Sequence, residues 1–94
     1  MVVGVLELRL AVPAFTLKDK RSVIKRVLHR TRNNFNVSGA EVGELDVVGA
    51  AQLGFVSVSN DRRYLEGQLM KVERFVDDLE LAEITDSELT FEHY

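Results

Sequence analysis

Residues 18–32 hold seven of the chain's twelve lysines and arginines and one of its fifteen acids. The cations are Lys18, Lys20, Arg21, Lys25, Arg26, Arg30 and Arg32, against Asp19 alone. That run carries a net +6; the rest, with five cations and fourteen acids, carries −9, which gives the overall −3. An acidic chain that gathers its positive charge into one segment has the electrostatic footprint of a polyanion-binding surface. Lysine and arginine at this density suit phosphate contact, because they are charge-assisted donors that carry no base specificity.

The segment that must position these groups reads as a helix over residues 17–34. Ile24, Val27, Leu28, Thr31 and Phe35 recur at spacings of three and four, the helical period. Thr16 is the expected N-cap, with Asp19 in the capping-box place. On this helix Lys18, Arg21, Lys25, His29 and Arg32 share one flank, while Arg26 and Arg30 lie on the far side and serve equally well as solvated surface. Lys20 falls close to the apolar stripe, so its stem must pack and its head must snorkel outward. Lys18, Lys20 and Arg21 sit where a helix prefers acids, each at a cost of about 0.3–1 kcal/mol. An anion held there turns that cost into a gain. The expected anion- or nucleic-acid-binding set is therefore Lys18, Lys20, Arg21, Lys25 and Arg32.

The remaining elements frame this helix. Leu6, Leu8 and Leu10 alternate with Glu7 and Arg9 as in a half-buried strand, and Pro13-Ala14-Phe15 breaks the ladder. Residues 37–42 form a short, weak strand, and residues 43–46 a turn. Residues 50–59 read as a strand with Val56 and Val58 on one face and Leu53 and Phe55 on the other, which suggests a central, well-covered position. Ser59-Asn60-Asp61 caps a second helix marked by Leu65, Leu69, Val72, Val76 and Leu79. A last strand covers residues 81–92, with a bulge expected near Asp86-Ser87, where the parity of Ile84 and Leu89 changes. The order strand, helix, strand, strand, helix, strand predicts one α+β domain over residues 1–94: a ferredoxin-like βαββαβ fold, with a four-stranded antiparallel sheet and both helices on one face. The second helix carries Glu66, Glu73 and Asp77, with Asp78 and Glu80 at its end. Ion pairs from these acids are the competing use of the basic flank.

Other chemistry is poorly represented. The chain has no cysteine, so thiolate metal sites, disulfides and thiol nucleophiles are excluded. His29 and His93 are too far apart in sequence to suggest a metal site, and no glycine-rich phosphate loop follows a strand. No cofactor and no metal is expected. Asp86, Glu88 and Glu92 on the last strand read as edge protection. Leu53-Gly54-Phe55-Val56-Ser57-Val58 is similar to the third-strand motif of RNA-recognition domains, yet Leu53 and Val58 stand in the places of two aromatics, which removes base stacking from the sheet. The apolar N-terminus meets Glu7 and Arg9 too soon for a signal peptide or a span. A cytoplasmic protein without membrane association is expected.

The stretch Phe15-Thr16-Leu17-Lys18-Asp19-Lys20-Arg21-Ser22-Val23 resembles the YlxP family of small bacterial proteins, a domain of unknown function that typically shows Ser-Leu-Lys-x-Lys-Arg here. The likeness continues through Phe35-Asn36-Val37-Ser38, Glu41-Val42, Asp46, Leu53-Gly54 and Val58-Ser59-Asn60-Asp61. The resemblance implies a ferredoxin-like fold. It also implies a role near translation, because genes of the family often neighbour ribosome-maturation genes, including that for ribosome-binding factor A. Lys18, Lys20 and Arg21 match the motif directly. Relatives often carry Trp-Gln-Arg where this chain has Val48-Gly49-Ala50, so an aromatic stacking contact is absent at that point.

Three readings follow. The first is a non-enzymatic accessory protein that binds RNA or a ribosomal particle. The second is a homo-oligomeric interaction module, a homodimer for instance, with Val5, Leu53 and Phe55 at its interface. The third is a binder of a phosphorylated small molecule, or an enzyme acting on one.

Overall fold

In the computed structural model, which describes residues 1–94, the alternation seen at Leu6–Leu10 extends over the whole of β1, Val2–Ala11. Val2, Gly4, Leu6, Leu8 and Leu10 face the core, and Val3, Val5, Glu7 and Arg9 face away. α1 spans Leu17–Asn34, β2 Ser38–Gly43, β3 Ala50–Ser59, α2 Arg62–Asp78 and β4 Glu83–His93. The sheet order is β2-β3-β1-β4, with every pairing antiparallel. Each crossover helix thus skips one strand position, which the other βαβ unit fills. This is the ferredoxin-like interleaving expected from the element order.

Both helices cover one sheet face. Ile24 and Val27 from α1, and Leu69, Val72 and Val76 from α2, close on Leu6, Leu8, Leu10, Ala51, Leu53 and Phe55. α2 comes close to β1 because Gly4 has no side chain: a Cβ there would stand 2.7 Å from Leu69 Cδ1. Thr16 caps α1 as expected, its Oγ1 accepting from Asp19 N at 3.1 Å. Asp61 caps α2 by accepting from Arg63 N at 2.9 Å.

β3 is central, as its apolar content implied, but only one of its faces is covered. Leu53 and Phe55 are fully buried beneath the helices, whereas Val58 is 59% exposed on the open face. Two irregularities set side-chain direction. Arg9 pairs with Asp86 and Leu10 with Ile84, so Thr85 is the extra residue, just before the expected bulge. In β2, Glu41 pairs with Leu53 and Gly43 with Gln52, so Val42 is extra. Glu41 lies opposite the core-facing Leu53 and points toward α1. No helix is long and apolar enough to cross a membrane.

Candidate nucleic-acid interface

Six of the seven α1 cations, Lys18, Arg21, Lys25, Arg26, Arg30 and Arg32, are exposed. None has a carboxylate oxygen within 4.0 Å, since the two ion pairs in the protein are Arg9–Glu44 at 3.9 Å and Lys20–Glu41 at 3.1 Å. The pairing with Glu66, Glu73, Asp77, Asp78 and Glu80 that competed for the basic flank does not form. The reason is direction. Arg21, Lys25, Leu28 and Arg32 stand in one row at steps of four, three and four. Arg32 Nη1 donates to Gly39 O of β2 at 3.2 Å, and Leu28 packs beside Gly39. The row therefore overhangs the β2 edge, while α2 lies on β1, β3 and β4. Lys18 continues the same flank one turn earlier, at the helix start.

Lys20 departs from the expected set. Its side chain is 1% exposed, and its Nζ donates to Glu44 O at 2.6 Å and lies 3.1 Å from Glu41 Oε2. The head does not snorkel outward; it is consumed inside the fold. Position 20 lies in line with Ile24, Val27 and Thr31, so the stem joins the core and the charge meets Glu41, which the alternation of β2 places on the core side opposite Leu53. The carbonyl it grips belongs to a residue with φ 57°, the left-handed conformation that non-glycine residues adopt at a cost. Lys20 therefore fastens the first turn of α1 to the turn after β2. It cannot reach a phosphate without breaking a buried pair.

The sheet residues expected at an oligomer interface also divide. Val5 stands on the open face, but Leu53 and Phe55 are fully buried and can meet no partner. Neighbouring Val5 on that face are Val3, Val56 and Val58, by the register Val3↔Val58 and Val5↔Val56. With apolar residues at both parities of β3, period two alone could not say which set the helices cover.

Two features of the surface lay outside the sequence expectations. Phe15, read as a ladder break, is 97% exposed immediately before the α1 cap. Its place in the Phe-Thr-Leu-Lys motif was the available signal. Arg62 and Arg63 repeat at α2 the cationic start of α1, and Arg62 stacks 4.7 Å from the Phe91 ring centroid. His29 takes part in a hydrogen bond with Asn33 at 3.2 Å, within the basic flank. Asp86, Glu88 and Glu92 are exposed along β4, on the side of the open face opposite β2.

A family model described as "Protein of unknown function (DUF503)" matches residues 3–89. The chain belongs to this family. It is 40% identical over 72 residues to "Uncharacterized protein YlxP" of Bacillus subtilis strain 168, covering 77% of this chain and 78% of that protein. Among solved structures, "De novo designed protein Foldit4" matches with a TM-score of 0.53 at 16% identity, over 99% of this chain and 97% of that one. A crystal structure of an antibiotic biosynthesis monooxygenase matches with a TM-score of 0.53 at 11% identity, over 100% and 98% of the two chains. A designed protein and an oxygenase share the fold equally well, so the likeness carries the fold alone. Family membership agrees with the Lys18-Asp19-Lys20-Arg21 motif, whose middle lysine is structural in this chain.

Proposed function

We propose that this protein is a non-enzymatic RNA-binding accessory protein that grips phosphate backbone, in a ribosomal RNA or ribosomal particle, through Lys18, Arg21, Lys25 and Arg32. The observation that carries this reading is the unpaired outer flank of α1: exposed cations in a row over the β2 edge, with no carboxylate within 4.0 Å. Surface cations are ordinarily interspersed with acids. A one-sign row keeps its field for a partner and gains by releasing counterions from a polyanion. Phe15, 97% exposed and three residues before Lys18, offers a face on which an unpaired base can stack.

The test is binding to ribosomal RNA and to a small-subunit particle across a salt series. A steep fall of affinity with salt is expected. Replacing Lys18 and Arg21 by alanine should flatten the slope by about 0.7–0.9 for each phosphate that the variant no longer neutralises. Affinity that is absent or insensitive to salt overturns the reading.

A second reading rests on the open sheet face. Val3, Val5, Val56 and Val58 form a continuous apolar strip there, and such strips mark association surfaces. Sedimentation decides it: a monomer at every concentration rejects a homodimer, and a dimer that Val58→Lys dissociates supports one.

A further inference from the structure

We propose that the cleft between the end of α1 and the first half of α2 binds a nucleotide whose base carries an exocyclic amine. The site is separate from the outer flank of α1 and does not depend on it. Asn34, Asn36, Arg63, Tyr64, Gln68 and Lys71 line a cavity of about 460 Å³, a size suited to a small ligand. Both charged residues on its wall are cations, and no carboxylate lines it. The Arg63 and Tyr64 N–H groups are already used, since Asp61 Oδ1 accepts from Arg63 N at 2.9 Å and Tyr64 N at 3.4 Å. An anion in the cleft is therefore held by the Arg63 and Lys71 side chains.

The uncharged groups define the rest of the ligand. Tyr64 presents an exposed ring. Gln68 Oε1 has no donor and no accessible surface, a costly state for a buried acceptor, and it meets a ligand amine once the flexible side chain turns into the cleft. The Asn34 amide nitrogen is committed to Arg30 O at 2.8 Å, which leaves its oxygen as a second acceptor. A wall of acceptors, an aromatic face and two cations matches a base amine, a base plane and a phosphate. Adenine and cytosine carry such an amine and uracil does not.

Gly67 forms part of the wall. It lies inside α2, and a Cβ placed on it would have no atom within 4 Å. Nothing in the fold presses on this position, so close packing does not explain a residue that weakens a helix. What the missing side chain leaves is a dent between Tyr64 and Lys71, one helical turn from Arg63.

Two-dimensional NMR with AMP, CMP, UMP and inorganic phosphate, and then with short oligo(A) and oligo(U) RNA, tests this. AMP and CMP should shift the Gln68 side-chain amide and the Gly67 N–H saturably, more strongly than UMP and far more strongly than phosphate. Arg63→Ala with Lys71→Ala should abolish the response. Gly67→Ala should raise the melting temperature and weaken binding at least several-fold, an opposition that a purely structural glycine would not give. Equal shifts with phosphate and AMP, silent cleft resonances, or unchanged binding by Gly67→Ala overturns the proposal. Response to oligo(A) but not to AMP identifies an unpaired RNA nucleotide as the ligand, and response to AMP alone identifies a free one. RNA binding that depends on α1 while the cleft stays silent rejects this site and leaves the α1 reading standing. AMP binding without any RNA affinity does the reverse.

Discussion

The two helices start alike and then distribute charge in opposite ways. α1 follows its cap with Lys18, Lys20 and Arg21, and α2 follows its cap with Arg62 and Arg63. Yet α1 conforms to its own dipole in part, with Asp19 in the first turn and Arg32 in the last. α2 has neither an acid in its first turn nor a base in its last, and it ends on Asp77 and Asp78. The charge of α1 is radial, a cationic flank along its length. That of α2 is axial at its ends, Arg62 and Arg63 at the start and Asp77 and Asp78 at the finish, both against the dipole, each end costing about 0.3–1 kcal/mol. The contrast teaches that the same local signal, cations at a helix start, can serve different ends. On α1 one of them is buried as a fastening. On α2 Arg62 is spent on an aromatic ring and Arg63 opens onto a cleft.

The contrast can be broken most forcefully at Lys20. Lys20→Ala leaves Glu41 without its partner and should cost about 3 kcal/mol in a denaturant melt. Lys20→Met with Glu41→Leu should recover about half of that loss, the remaining ~1.5 kcal/mol being the charged hydrogen bond to Glu44 O. A single variant as stable as the wild type would remove the fastening role and return Lys20 to the exposed set. Next comes the outer flank. Alanine at Lys18, Arg21, Lys25 and Arg32 together should lower the log–log salt slope of RNA binding by about 3, at about 0.7–0.9 per phosphate, while the melting temperature changes little. Gly67→Ala should stabilise the protein by about 0.5–1 kcal/mol, measured by thermal unfolding. The smallest effect is expected at the far end of α2. Asp78→Lys aligns charge with the dipole and should gain about 0.3–1 kcal/mol at low salt, shrinking as salt is added. A loss there would mean that Asp78 has a favourable contact that outweighs the dipole.

Much of the architecture could be read from residue spacing. The period of α2 at Leu65, Leu69, Val72 and Val76 matches its buried face, and Thr16 caps where the motif placed it. Local chemistry decides such features, so local sequence reveals them. The fate of Lys20 was half legible. Its position on the apolar stripe was visible, but its partner Glu41 lies on a short edge strand, where only the pairing with β3 puts it opposite the core-facing Leu53. A side chain's partner on a distant strand is a tertiary fact. The open face failed for a similar reason, because β3 is apolar at both parities and only the docking of the helices selects Leu53 and Phe55 for the core. The cleft was the least visible. Asn34 ends α1 and Asn36 lies just past its cap, whereas Arg63, Tyr64 and Lys71 belong to another helix. Gly67 alone, a glycine inside a strong helical pattern, advertised it.

The buried ammonium of Lys20 has a consequence for solubility. β2 is short and pairs on one side alone, with β3, so its other side is an open row of backbone donors and acceptors. Such edges invite pairing with another chain, and proteins usually blunt them with outward lysines. Here a lysine helps from within. By holding Glu41 and the turn carbonyl of Glu44, it keeps β2 docked against the helix layer, where the cations of α1 overhang the edge and repel a second copy. Loosening that grip would expose a flexible strand stripped of its charged guard. Slow aggregation at moderate temperature, more than weakened ligand binding, is the phenotype to expect from damage at this position.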